Sequence, residues 1–169
     1  MVQFILRRYR KADAASLQKN INHREIAKNT LTIPYPYTIK DAHSFLRKVA
    51  KDYSKKKRKN YKFTIDIAGE VAGGIGFHKI DYTHDNAEIG YWLSRKLWGK
   101  GIMTRAVKQM CRLGFQKFGF KRIYAFTFVF NKASQRVLKK AGFHYEGRLR
   151  RNVKKKGKYR DDLLFAKIR

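Results

Sequence analysis

The chain has 169 residues, with 41 Lys+Arg against 12 Asp+Glu and a formal net charge of +29. Hydrophobic residues make up 43% and aromatics 14%, enough apolar content for a core, so the charge does not signal disorder. A lone cysteine, Cys111, excludes an internal disulfide and a thiolate zinc cluster. The apolar run at Met1–Leu6 is too short for a signal peptide, and no stretch approaches the ~18 apolar residues of a membrane span. These features predict a folded, basic, cytoplasmic protein that does not enter a membrane.

In chain order, Val2–Arg10 reads as a first strand and Asp13 as the cap of a helix running to about Ile26. Thr30–Thr38 is a loop stiffened by Pro34 and Pro36. Asp41 opens a second helix with Ala42, Phe45, Leu46 and Val49 on one face. Lys55–Lys59 is a run of like charges and so a solvated turn or helix end. Phe63–Ile67 and Val71–Ile80 flank Gly69-Glu70 as a hairpin, and Ala87–Leu93 is a further strand.

Met103–Phe118 is the clearest helix. Met103, Ala106, Val107, Met110, Cys111, Gly114, Phe115 and Phe118 follow the three-four spacing of one buried face. That places Cys111 in packing rather than chemistry. Ile123–Phe130 is a strand, Asn131–Ala141 a short helix, and Phe143–Val153 with Tyr159–Ile168 a terminal hairpin. With no repeat and no linker, residues 1–169 read as one domain. Its class is mixed α/β (α+β), with a largely antiparallel sheet of about seven strands and about four helices.

The segment that carries chemistry is Trp98-Gly99-Lys100-Gly101-Ile102-Met103-Thr104, between a strand and the strongest helix. First-turn N–H groups of a helix have no intrahelical partner, and the dipole is positive there. Glycines let a phosphate approach the backbone, so the segment fits a pyrophosphate cradle with Lys100 as an added charge. Taken alone, the segment fits an ordinary glycine-containing turn better, since most α/β proteins have one. It matches neither a P-loop nor a dinucleotide fingerprint. The five histidines show no metal-ligand spacing, and no metal is expected.

Taken with Glu88-Ile89-Gly90-Tyr91-Trp92-Leu93 upstream and Asn131-Lys132-Ala133-Ser134 and Gly142-Phe143 downstream, the ordered set resembles the GNAT superfamily of acyl-CoA-dependent N-acyltransferases. Ile33–Tyr37 followed by Asp41-Ala42, Glu146-Gly147 and Gly157–Asp161 bring it nearest to the RimJ/RimL type, which acetylates ribosomal-protein amino termini. Of that superfamily's (Arg/Gln)-x-x-Gly-x-(Gly/Ala) motif only the central Gly101 is kept; Trp98 and Met103 depart from it.

The resemblance implies acetyl-CoA as co-substrate and direct transfer to an amine in a ternary complex. The strand Glu88–Leu93 would run beside the pantetheine arm at Tyr91, Trp92 and Leu93, with an N–H near Leu93 facing the oxyanion. Residues Trp98–Thr104 would hold the pyrophosphate, and Asn131 and Ser134 the pantetheine end. Ser134 is also the candidate acid; a tyrosine common in this helix among relatives is missing between Asn131 and Ala141. Glu88 is the candidate base, with a structural strand-end carboxylate as the other reading. Tyr35 and Tyr37 wall the acceptor pocket or pin the loop to the core.

One CoA does not account for the charge. Arg148–Arg160 holds eight basic and no acidic residues among 13. With Lys55–Lys59 it offers two polyanion patches, for ribosomal RNA or an acidic protein, or else simple solubility charge. The implied acceptor is a protein amino terminus, and the enzyme itself is expected to be a monomer or homodimer. Acetylation of a small amine (polyamine, antibiotic or amino acid) and a non-catalytic nucleic-acid-binding module are the rival readings.

Overall fold

A computed structural model describes residues 2–56 and 58–169; Met1, and Lys57 within the Lys55–Lys59 run, lie outside the described residues. In chain order the elements are β1 (Ile5–Arg7), α1 (Ala14–Ile21), α2 (Arg24–Asn29), α3 (Ile39–Tyr53), β2 (Tyr61–Ile67), β3 (Glu70–Asp81) and β4 (Asn86–Leu93). After these come α4 (Ile102–Lys117), β5 (Arg122–Phe128), α5 (Lys132–Lys140), β6 (His144–Lys155) and β7 (Lys158–Ile168). The seven strands form one sheet in the order β1-β2-β3-β4-β5-β7-β6. Every neighbouring pair is antiparallel except β4 and β5.

The expected class holds, with two local differences. The first strand is trimmed to Ile5–Arg7. The first expected helix is two helices, α1 and α2. At Asn22 the backbone leaves the helix (ψ 72), and its Oδ1 accepts the Tyr37 N–H at 2.9 Å. His23 then caps α2, its Nδ1 accepting from the Glu25 N–H. Short polar side chains that bond nearby backbone compete with a continuing helix in this way.

Two apolar layers sandwich the sheet. On one face α4 buries Ile102, Ala106, Val107 and Met110 against Ile75, Phe77, Ile89 and Ile123. Burying each larger side chain here stabilises the fold by about 1.5–3 kcal/mol. On the other face α1 and α3 bury Leu17, Ile21, Leu46 and Val49 against Tyr9 and Val71. Gly74 of β3 makes room for that second layer. A Cβ there would stand 2.4 Å from both Trp92 Nε1 and Tyr9 Oη.

Candidate active site

The parallel pairing of β4 with β5 is confined to Asn86–Arg122, Ala87–Ile123 and Glu88–Tyr124. Beyond Glu88 the strands part, although β4 runs on to Leu93 and β5 to Phe128. A gap opens there, edged by main chain. Ser94 N–H donates to Ala72 O at 2.8 Å. Alternation along an antiparallel ladder therefore turns the N–H and C=O of Glu88, Gly90 and Trp92 toward β3, and those of Tyr91 and Leu93 toward the gap. Leu93 O is taken by Trp98 Nε1 at 2.8 Å, and the Leu93 N–H faces the opening. Trp92 is not brought to the gap: its ring packs into the second apolar layer.

At the wide end of the gap lies the turn into α4. Gly99 (φ 78) and Gly101 (φ 69) both adopt the left-handed conformation, and a Cβ on either would have nothing within 4 Å. Glycine is required here by backbone conformation, and the space above is open. Gly101 is the N-cap of α4 and supplies no side chain, so the first-turn N–H groups point outward without a capping oxygen. Ile102 and Met103 are buried in the core, which makes the Met103 departure a packing matter. The Trp98 ring lies under the Arg95 guanidinium, 4.8 Å from its centroid. What this turn presents to an anion is therefore backbone N–H groups, exposed Lys100 and half-buried Thr104.

The far wall of the gap is the start of α5. Asn131 Oδ1 caps the helix by accepting the Ser134 N–H at 3.1 Å. Ser134 Oγ stands 2.9 Å from Tyr91 Oη, which reaches over from β4. Burial pushes the Tyr91 phenol above its ordinary range, against the opposing pull of the Ser134 hydrogen bond. The phenol beside Ser134 thus comes from β4 and not from α5. Thr127, on β5 beyond the point of parting, adds a buried hydroxyl with no hydrogen-bond partner among the described residues. Sequence reading gave no signal for it.

Glu88 stands where the strands part. It pairs across the ladders with His78 of β3 and Tyr124 of β5. Lys79 Nζ lies 2.9 Å from Glu88 Oε2, an ion-pair distance, yet that buried oxygen accepts no hydrogen bond of good geometry. Asp162 of β7 is the second carboxylate of this region, 4% exposed and bonded by Asn152 Nδ2 at 3.1 Å. Burial raises its carboxyl above the usual range, and the negative charge of Glu88 adds to that. Burial and the Lys62 charge together hold the His78 imidazole below its ordinary value.

Other expected residues separate. Tyr37 is a core residue, its phenol pushed up to about 12 by burial, while Tyr35 is exposed with the Arg24 guanidinium 5.6 Å from its ring. Cys111 is buried on α4 and its thiol is pushed up to about 12, also by burial. Among the described residues, no group of three or more His, Cys, Asp or Glu is placed to hold a metal ion. Nor, among them, is any helix long and apolar enough to cross a membrane.

The chain as a whole is similar to known proteins. Residues 3–144 match the family model of the acetyltransferase (GNAT) domain. The uncharacterized N-acetyltransferase YoaA of Bacillus subtilis (strain 168) is 31% identical over 132 residues, 78% of this chain and 75% of that protein. The ribosomal-protein-serine acetyltransferase of Escherichia coli (strain K12) is 32% identical over 106 residues, 63% of this chain and 59% of that protein. Among solved structures, the Microcin C7 self-immunity acetyltransferase MccE, in complex with acetyl-CoA and AMP, superposes with a TM-score of 0.88 at 27% identity, covering 98% of this chain and 92% of that one. The RimL ribosomal L7/L12 alpha-N-protein acetyltransferase, in complex with coenzyme A, gives 0.88 at 20% identity, with 99% and 95% covered, and so shares the fold. The chain belongs to the GNAT acetyltransferase family, enzymes that carry acetyl from acetyl-CoA to an amine.

Proposed function

We propose that the acceptor is a protein amino terminus and that acetyl passes to it directly within a ternary complex. The observation that carries this reading is the position of Glu88, at the last paired residue before β4 and β5 part. A carboxylate there stands at the head of a gap whose edge offers main-chain N–H groups. The residues lining the gap fit acetyl-CoA: left-handed glycines at the α4 start, open N–H groups, and the orphan hydroxyl of Thr127.

In the step itself the amine nitrogen bonds to the thioester carbonyl carbon. The developing oxyanion is met by the Leu93 N–H, a preorganised donor. Glu88, directly or through water, takes the proton that the nitrogen gives up. As the C–S bond breaks, Ser134 donates its hydroxyl proton to the thiolate and recovers one from water, while Tyr91 keeps its own proton and holds Ser134 in place through their hydrogen bond. An α-amine with pKa near 7.7–8.0 needs roughly 1 kcal/mol to lose its proton at pH 7, against roughly 4–5 kcal/mol for lysine near 10.4. An amino terminus therefore asks little of Glu88. The E. coli relative's name supports a ribosomal-protein acceptor. The exposed cations of the β6–β7 hairpin supply a docking surface for an acidic protein or RNA.

The test is release of free thiol from acetyl-CoA with a panel of serine- and alanine-initiated peptides, spermidine and free amino acids. Turnover on the peptides is expected. Turnover confined to the small amines would overturn the acceptor assignment.

A further inference from the structure

Resting on the acetyl-transfer reading, we propose that Lys79 is a built-in stand-in for the acceptor. Its ammonium occupies the place at Glu88 that the acceptor's amino group must take, and the acceptor displaces it.

The backbone is arranged for this. The β3–β4 register runs evenly through His78–Glu88 and then shifts before Asp81–Asn86. Lys79 sits in that irregularity with φ 46, a left-handed conformation unfavourable for lysine. In an unbroken strand Lys79 would point away from the face shared by His78 and Glu88. A bulge re-aims a side chain, and this one carries the Lys79 ammonium to 2.9 Å from Glu88 Oε2.

The surroundings of that ammonium are those an amino terminus would meet. Glu88 is on one side, the Phe126 ring centroid lies 5.8 Å away, and the charge of Asp162 also acts on it. His78 and Tyr124 face Glu88 from β3 and β5. The two partners differ in freedom. The Lys79 side chain is 70% exposed and Glu88 only 20%, so the lysine is the group that swings away. Glu88 Oε2 is buried and its 2.9 Å contact with the Lys79 ammonium is poorly directed, so a well-aligned acceptor N–H would bond it better. Once displaced, the lysine adds positive charge beside the entrance and disfavours acceptors carrying further cations.

The experiment compares wild type, Lys79→Met and Lys79→Arg on a serine-initiated heptapeptide with uncharged side chains. Kinetics are read by thiol release. Peptide binding to the CoA-loaded protein is read by calorimetry. An exposed ion pair is worth little, so Lys79→Met is expected to lower acceptor KM and peptide Kd by roughly two- to fivefold. The KM for acetyl-CoA stays constant, and Lys79→Arg keeps the wild-type values. If Lys79→Met instead lowers kcat with acceptor KM and Kd unchanged or raised, Lys79 only positions Glu88 and the proposal falls. Absence of turnover in wild type, with tighter peptide binding by Lys79→Met, would remove the transfer reading and leave the displacement standing.

Discussion

Tyr91 Oη and Ser134 Oγ are 2.9 Å apart, joining β4 to the first turn of α5 across the gap where the sheet parts. Ser134 is additionally fixed by its N–H to Asn131 Oδ1 at 3.1 Å. The phenol is buried and hard to ionise, so it serves as a donor that stays protonated at neutral pH. In the proposed transfer step, the partly exposed hydroxyl of Ser134 meets the leaving sulfur while the buried one of Tyr91 sets its orientation.

Ser134→Ala should lower kcat by about 10²-fold, the low end of general-acid effects. Tyr91→Phe should lower it less, by roughly tenfold, because Ser134 keeps its hydroxyl. If Tyr91 acts through Ser134, the double variant should be no slower than Ser134→Ala alone. Single-turnover thiol release checks this. Independent, multiplying effects would separate the two residues.

Glu88→Gln removes the proton acceptor and keeps the shape. At pH 7 the loss in kcat/KM on a peptide amine should be about 10²- to 10⁴-fold. The deficit should shrink as pH rises through the amine's own pKa of about 7.7–8.0, since the nucleophile then arrives neutral. A pH–rate series on wild type and variant reads this directly. A constant ratio from pH 6 to 9 would assign Glu88 a structural part in place of proton transfer.

Gly99→Ala and Gly101→Ala meet no steric neighbour, so their effect isolates backbone conformation. Each should destabilise the fold by about 1–2 kcal/mol through its left-handed φ. Each should also weaken CoA binding, by about tenfold, through misaligned N–H groups. Lys100→Ala should weaken CoA less and leave the melting temperature unchanged. Calorimetric titration of CoA with a melting curve for each variant distinguishes the two effects.

Whatever depended on local spacing was legible in the sequence. The α4 stripe, the glycine turn at Trp98–Thr104 and the strand ending at Leu93 are spelled out by periodicity and glycine placement, and these elements sit where expected. Glu88, Ser134 and Tyr91 were nameable, but the contact between Tyr91 and Ser134 spans 43 residues of chain and needed the fold. Lys79 was hidden because its aim depends on a bulge, and strand periodicity assigns it the opposite face. Asp162 was hidden beside Asp161. The register of β7 decides that Asp162 is buried, while Asp161 stays nearer the surface and pairs with Arg148 at 2.6 Å.

The β6–β7 hairpin gives the docking proposal a test. Arg150, Arg151, Lys154, Lys156, Lys158 and Arg160 are exposed along it. Lys155 is engaged instead, its Nζ donating to the Ala27, Lys28 and Thr30 carbonyls at the end of α2. Replacing Lys154, Lys156, Lys158 and Arg160 by Gln should weaken RNA binding and flatten its salt dependence by about one logarithmic slope unit for each phosphate no longer neutralised. Filter binding between about 50 and 200 mM salt measures this. Equal slopes for wild type and variant would exclude the hairpin as an RNA surface.

Arg7 anchors the first strand through two carboxylates, and its chemistry predicts how the fold fails in acid. Its Nη1 and Nη2 bond both oxygens of Asp13 at 2.8 and 2.9 Å, and Nε bonds Asp66 at 2.6 Å. The side chains of Arg7 and Asp13 are 11% and 6% exposed. Burial alone would raise the Asp13 carboxyl, but the Arg7 hydrogen bonds and the Arg10 N–H outweigh it and hold it below the ordinary range. A carboxylate with a depressed folded pKa contributes stability that is complete above its unfolded pKa of about 3.9 and is lost as pH falls through the folded value. Asp13→Asn leaves the buried guanidinium underpaired and should cost about 3 kcal/mol at pH 7. In urea unfolding the gap between wild type and Asp13→Asn should hold from pH 7 to 5 and close below about pH 4. A gap that persists unchanged to pH 2 would mean that the asparagine acts through packing rather than through the lost charge.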